Sequence, residues 1–214
     1  KHHIMKTFIS LSALFLSLSL TAQTNPATWY LNDGSGGIQS ATNNASGSHS
    51  TAMGRITTAS GDFSTAMGYQ TEASGNYSTA MGRDTTASGY ASTAMGEETI
   101  ASGSRSTAMG QNTIASGYGS TAMGYKTEAS GNYSTAMGRD TTASGYASTA
   151  MGFQTTASDY NSLVLGQWNL LGSTVTNSAT DFSLENTAFV IGNGTGSNNR
   201  SDALVVKFNG DATL

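Results

Sequence analysis

From residue 50 onward, small and larger side chains alternate along the chain in a fixed order. Ser64, Ala66 and Gly68 alternate with Thr65 and Met67; Thr71, Ala73 and Gly75 alternate with Glu72 and Ser74. Side chains on a strand change faces at every residue, so each run predicts a five-residue strand, Ser64–Gly68 and then Thr71–Gly75. Two variable residues follow each run. The resulting unit is 14 residues long and Ser-Thr-Ala-Met-Gly restarts at Ser50, Ser64, Ser78, Ser92, Ser106, Ser120, Ser134 and Ser148 without one insertion. A fixed period with fixed small residues predicts a solenoid, one coil per repeat, because a single coil cannot bury its apolar face alone.

The variable residues say which face is inside. The slot of Glu72 holds Thr58, Thr86, Ile100, Ile114 and Glu128 in other coils, as a solvent-facing slot would. Thr71, Ala73 and Gly75 therefore point inward, and the matching face of Ser64, Ala66 and Gly68 meets them. The expected interior is a thin two-sheet roll of Ala, Gly, Ser and Thr. Met53, Met67, Met81, Met95, Met109, Met123, Met137 and Met151 then point outward, with Leu165 in the same slot of the last coil. Stacked coils about 4.8 Å apart turn these methionines into a stripe ~35 Å long. Covering all eight would contribute roughly 12–24 kcal/mol per chain, so the stripe is read as an oligomer interface. The opposite facing, with methionine inside the roll, stays open at this point. A methionine copper site lacks accompanying histidines.

The ends differ from the array. Lys6, the apolar stretch from Phe8 to Leu20 and the small residues Thr21-Ala22 read as a secretory signal peptide over residues 1–23, with Met5 as the natural start. Residues 24–49 are a lead-in, in which Trp29 is expected to cover the open end of the roll and Ala45-Ser46-Gly47 is already in register with Ala59-Ser60-Gly61. The head spans residues 50–166. In its last coil Asp159 stands where the other coils have glycine, and Leu163-Val164-Leu165 enlarges the strand pattern. Residues 167–214 form an irregular β neck, in which Phe189-Val190-Ile191-Gly192 restores the strand pattern once more. Asp202 to Phe208 reads as the final strand, and Asn209-Gly210 is a turn signal with no further strand before Leu214. The neck is expected to be truncated.

Composition narrows the function classes. Charged residues are 10% of the chain and the net charge is −4, with no Lys/Arg cluster, so the footprint of a nucleic-acid binder is missing. There is no cysteine, hence no disulfide framework. His49 has no nucleophile or carboxylate at a recognisable spacing, and the serines are periodic. No catalytic residue, metal ligand or cofactor is expected. Tyr69, Tyr77, Tyr90, Tyr118, Tyr125, Tyr133 and Tyr146 fill turn slots, with Arg83 and Arg139 among them. Exposed tyrosine and arginine are the chemistry of contact surfaces, and stacking between coils would equally stiffen the roll.

Ser-x-Ala-x-Gly followed by Ala-x-Gly-x-x-Ser, in register over residues 45–166, resembles the head repeats of trimeric autotransporter adhesins (YadA-like). The resemblance implies an all-β, left-handed parallel β-roll solenoid of 14-residue coils, a homotrimer about a common axis, and a secreted or bacterial cell-surface adhesin. Its partners would be itself and an extracellular protein or glycan, with no nucleic acid and no membrane span in the mature chain. That family usually carries Val or Ile where this chain has Thr65 and Met67. The stretch from Phe189 to Leu204 resembles the neck preceding intramolecular chaperone domains of tail-fibre-like proteins. Residues 64–91 recur at 120–147 with a single change, Gln70 to Lys126, which suits an extendable spacer or display surface better than a unique active site. A phage-type fibre shaft and an ice-binding solenoid, built on the Thr51–Thr149 and Thr57–Thr155 ladders, are the alternatives, although the facing deduced above buries the second ladder.

Overall fold

The computed structural model describes residues 30–32, 37–39, 42–171 and 178–214. The expected signal peptide and Trp29 lie outside the described residues. The chain winds into a parallel β-solenoid with a 14-stranded sheet on one side and a 9-stranded sheet on the other. Each coil gives a five-residue strand to the first sheet, such as Thr65–Tyr69, and a two-residue strand to the second, such as Glu72–Ala73. Successive coils pair in parallel with no slip: Ala66 lies beside Ala80, Met67 beside Met81 and Ala73 beside Ala87.

The interior is alanine. Every strand alanine from Ala45 to Ala157 is fully buried, and Val164 and Val190 extend the column; Ala91 and Ala147, at the corners, are half-buried. Columns of serine (Ser50 to Ser162) and threonine (Thr57 to Thr155) flank the alanines, each at most 1% exposed. The thin roll and its facing therefore come straight from alternation, and methionine stands outside.

Two features depart from simple alternation. Gly68, on the inward face by count, is exposed. Its φ of +124° breaks the alternation inside the strand, although Gly68 and Tyr69 still pair with Gly82 and Arg83, and a Cβ there would lie 2.0 Å from the carbonyl oxygen of Gly82. Only glycine fits such a slot. The second strand is also shorter than the expected five residues. The Ser74 and Gly75 N–H groups both donate to Ala87 O, at 3.0 and 3.2 Å, and Ser78 N–H returns to Gly75 O at 3.1 Å. A turn therefore replaces the ladder after Ala73.

Both corners of every coil use the left-handed region, mostly without glycine. Gln70 (φ 51°), Asp84 (53°) and Glu98 (52°) occupy one corner; Phe63 (57°), Tyr77 (61°) and Ala91 (52°) occupy the other. Each is held by an N–H bond to the coil before, as in Gln70 to Arg55 O at 3.0 Å and Ala91 to Asn76 O at 2.8 Å. Non-glycine residues pay for this conformation. Ala91→Gly removes that strain without deleting a packed side chain. It is expected to raise the urea midpoint by the equivalent of about 0.5–1 kcal/mol; an unchanged or lower midpoint would show the corner to be unstrained.

The ends of the array are closed by side chains that imitate a missing coil. Asn43 Oδ1 accepts from Thr57 N–H at 3.1 Å, and its Nδ2 donates to Gly54 O at 2.8 Å. At the other end Asn169 accepts from Thr156 N–H at 2.8 Å and donates back to Thr156 O at 3.0 Å. Asp159 takes the glycine slot because the second sheet ends with Thr156–Ala157. Its carboxylate accepts from Thr187 N–H at 2.8 Å. Upstream, a Cβ in that slot meets the next coil, as Gly145 would meet Asp159 O at 2.1 Å.

The first sheet continues past the last coil through Leu163–Gln167 and Thr187–Asn193, still parallel, then antiparallel through Asp202–Lys207 and Ala212–Thr213. Contrary to the expectation of no further strand, the turn at Asn209-Gly210 is followed by a short one, Ala212–Thr213, which needs only two residues to pair with Val205 and Val206. The Lys207 ammonium donates to Glu185 Oε2 at 2.9 Å. That hydrogen bond and charge hold the Glu185 carboxyl below its ordinary range and Lys207 above its own. At the opposite end a hairpin of Tyr30–Asn32 with Gly37–Gln39 covers the edge of the first sheet, Ile38 pairing with Thr51.

Candidate functional site

The outward face of the first sheet is one candidate surface. Threonine and methionine alternate with the buried alanines there, so Thr65 and Met67 share a face opposite to Ala66. The methionine column is continuous because Met53, Met67, Met81, Met95, Met109, Met123, Met137 and Met151 pair in register. Met53, at the end of the stripe, is 38% exposed, and the others are half-buried by their neighbours.

The same face runs on into the C-terminal strands. Met151 pairs with Leu165, Leu165 with Ile191 and Ile191 with Leu204; beside them Thr149 pairs with Leu163, Leu163 with Phe189 and Phe189 with Val206. The stripe thus changes from flexible methionine beside threonine to branched groups on both columns, with one aromatic ring at Phe189. The 14-residue period carries the stripe only as far as Leu165. Ile191 and Phe189 were findable, since Ala188-Phe189-Val190-Ile191-Gly192 repeats the strand pattern. Leu204 and Val206 were not, because their register depends on an antiparallel return with a bulge.

The corners are the second candidate surface, and the structure divides the tyrosines between them. Tyr69 and Tyr125 are the last residues of their long strands, in a column with Arg55, Arg83, Arg139 and Phe153. There cations lie over rings: Arg55 over Tyr69 at 5.5 Å, and Arg139 over Tyr125 at 5.7 Å and over Phe153 at 5.2 Å. Arg83 instead pairs with Glu97. Tyr77, Tyr90, Tyr118, Tyr133 and Tyr146 lie on the opposite corner, before the long strand. They continue a ring column that begins with His49 and Phe63, stacked at 5.2 Å, and Phe63 and Tyr77, also at 5.2 Å. Tyr133 meets Tyr146 edge-on at 5.5 Å, and Tyr146 stacks on Tyr160 at 5.2 Å. The rings bind one another along the axis and still show an edge to solvent; Tyr77 and Tyr133 are about half exposed.

The two sheets, the alanine interior and the repeated corners define the chain as a parallel β-solenoid that displays ladders of identical side chains. The family model of the YadA head domain repeat matches residues 45–71, 59–85, 73–96, 87–113, 115–141 and 143–167, more than half of the chain. The chain belongs to the YadA head domain repeat family, whose members are adhesin-like and typically surface-displayed. A comparison with curated proteins gives no significant match.

Proposed function

We propose that the chain is the non-catalytic head of a secreted, surface-displayed adhesin, a left-handed roll that works as a homotrimer. The carrying observation is the apolar face outside a roll that already has its own buried core. Alanine, serine and threonine fill the interior, so the methionine stripe and its extension through Leu165, Ile191 and Leu204 have no part in closing the coil. A contiguous apolar stripe of this length is at the upper end of what a soluble monomer leaves uncovered. A threefold axis covers the same face of every copy. Light scattering of the mature chain across a dilution series is expected to return three times the chain mass. A folded monomer at every concentration would overturn the trimer.

Attachment to an extracellular protein or glycan is assigned to the corners, where tyrosine and arginine are repeated many times over. Weak contacts repeated along one rod add through effective concentration. Tyr69→Ser, Tyr77→Ser and Tyr90→Ser together are expected to cut attachment to matrix-coated surfaces several-fold while the β-sheet circular dichroism stays. Unchanged attachment with a lowered melting temperature would make the rings a stiffening column only. A downstream chaperone domain beyond the C-terminal strands belongs to the same proposal, on the resemblance of the neck.

A further inference from the structure

A shallow groove of about 330 Å³ runs along the roll between one corner and the second sheet. One wall is the corner after the long strand, where Asn112, Lys126, Asp140 and Gln154 follow one another from coil to coil, all with φ between 51° and 57°. The other wall is the outward column of the second sheet, where Ile114 pairs with Glu128 and Glu128 with Thr142. Its size falls within the range of small-molecule sites. The fold uses few of these side chains. Asp140 pairs with Arg139 at 3.3 Å, and the Lys126 ammonium lies over the Tyr125 ring at 5.3 Å. Among the described residues, the side chains of Asn112, Glu128, Thr142 and Gln154 have no hydrogen-bond partner within the chain.

These free groups select a class of ligand. Asn and Gln each present donors and an acceptor, Thr a hydroxyl that does both, and Glu an acceptor. A sugar hydroxyl also donates and accepts, so it matches every one of them. Charge is balanced, with Lys126 and Arg139 offset by Glu128 and Asp140, so a charged ligand gains no net attraction. A peptide strand needs a row of free backbone groups. Here the corner N–H groups are taken by the coil before, Lys126 donating to Gln111 O at 2.9 Å and Asp140 to Tyr125 O at 2.8 Å. A peptide helix needs an apolar groove, and Ile114 is the one apolar side chain among the described lining residues. Coils repeat about every 4.8 Å, close to the advance per ring of an extended glycan and unlike the ~3.3 Å step of a peptide strand.

We propose that this groove binds a short, uncharged, linear glycan lying along the rod. Asn112, Glu128, Thr142 and Gln154 hydrogen-bond its hydroxyls, and Ile114, 38% exposed, packs against the C–H face of a ring. The sequence sets this stretch apart. Residues 64–91 recur at 120–147 with one change, and that change, Gln70 to Lys126, lies in the groove. Four coils earlier the same corner slots hold Ile56, Gln70, Asp84 and Glu98, beside Glu72 and Arg83. Carboxylates outnumber cations there by two, and an apolar branched group stands in place of Asn112. The array thus carries one neutral groove and an acidic counterpart that suits this ligand less well. The proposal rests on the attachment reading, names glycan as the class, and places the contact beside the ring columns rather than on them. It holds for one chain or for three, since the groove opens on the second-sheet side and not on the methionine face.

Saturation-transfer NMR on the full-length chain tests this with cellotetraose, maltotetraose and chitotetraose as uncharged probes and a hyaluronan tetrasaccharide as the anionic one. Transfer is expected to an uncharged probe at millimolar concentration and not to hyaluronan. Glu128→Ala with Gln154→Ala removes two hydrogen-bonding groups and is expected to weaken that binding roughly ten-fold or more. The β-sheet circular dichroism should stay, because neither side chain is bonded within the roll. Lys126→Gln is expected to change it little. Stronger transfer to hyaluronan, lost in Lys126→Gln, would overturn the uncharged ligand. Binding that survives the double variant would overturn the groove as the site. No transfer to any probe, from a chain that still attaches to matrix-coated surfaces, would overturn the glycan site and leave attachment standing. A double variant that loses the probe but attaches as the parent does would keep the groove and remove it from attachment.

Discussion

Gly96→Ala is expected to destroy the fold around the middle of the solenoid. The position has φ +123°, and an added Cβ would sit 1.9 Å from the carbonyl oxygen of Gly110. The obstacle is backbone of the adjoining coil, which is itself clamped between two more coils. It cannot move without breaking the ladder on both sides. Steric overlap and conformational strain act together, and the cost belongs in the exceptional range of roughly 4 kcal/mol or more. Thermal melting followed by circular dichroism should show a large fall in midpoint or a loss of the cooperative transition. Gly196→Ala is the companion, since nothing lies within 4 Å of a Cβ there, and it should melt with the parent. A Gly96→Ala protein that also melted with the parent would mean that the coils are not stacked as closely as described.

The reverse effect is expected from the threonine column inside the roll. Thr57, Thr71, Thr85, Thr99, Thr113, Thr127, Thr141 and Thr155 are buried, and their hydroxyls make no hydrogen bond. A buried hydroxyl without a partner carries a desolvation cost of about 1–3 kcal/mol. Valine has nearly the same shape and no such group. Replacing all eight by valine is expected to stabilise the chain by ~8 kcal/mol if each gives the lower figure. At about 2–4 °C per kcal/mol for a chain of this size, the midpoint should rise by more than ~15 °C in a calorimetric scan. A fall would show that the hydroxyls are paired. The serine column is the poorer target, because Ser50, Ser120 and Ser162 donate to turn carbonyls at 2.8 Å.

The coil period, the inward alanines and the break in the glycine column at Asp159 are all legible in the sequence. Each is a consequence of repetition: a residue that must fit between two copies of itself cannot vary, and a change at that slot marks the place where copies stop. Less visible were the corners. Gln70, Asp84, Ala91 and Glu98 share a left-handed conformation but no side-chain chemistry, because coil closure and a hydrogen bond to the coil before impose it. Only at Gly119 does a glycine mark such a corner. The tyrosines were likewise read as a single set. Tyr77 and Tyr90 differ by 13 residues rather than 14, yet their rings touch at 5.5 Å, whereas Tyr69 lies across the methionine face from both. One residue of offset moves a side chain within a corner; half a coil moves it to the other edge. Linear spacing weights these two differences wrongly.

The bonds that join one coil to the next run along the long axis of the rod. A load drawn along that axis therefore pulls on them end-on and reaches the terminal coil first, while shear across many strands at once never develops. Such a rod gives way one turn at a time, each release paying out 14 residues, or ~45 Å of extended chain. The interior needs no rearrangement for the next turn to hold, since every layer is filled by its own alanines. A structure built this way acts as a tether that yields in steps rather than a strut that snaps.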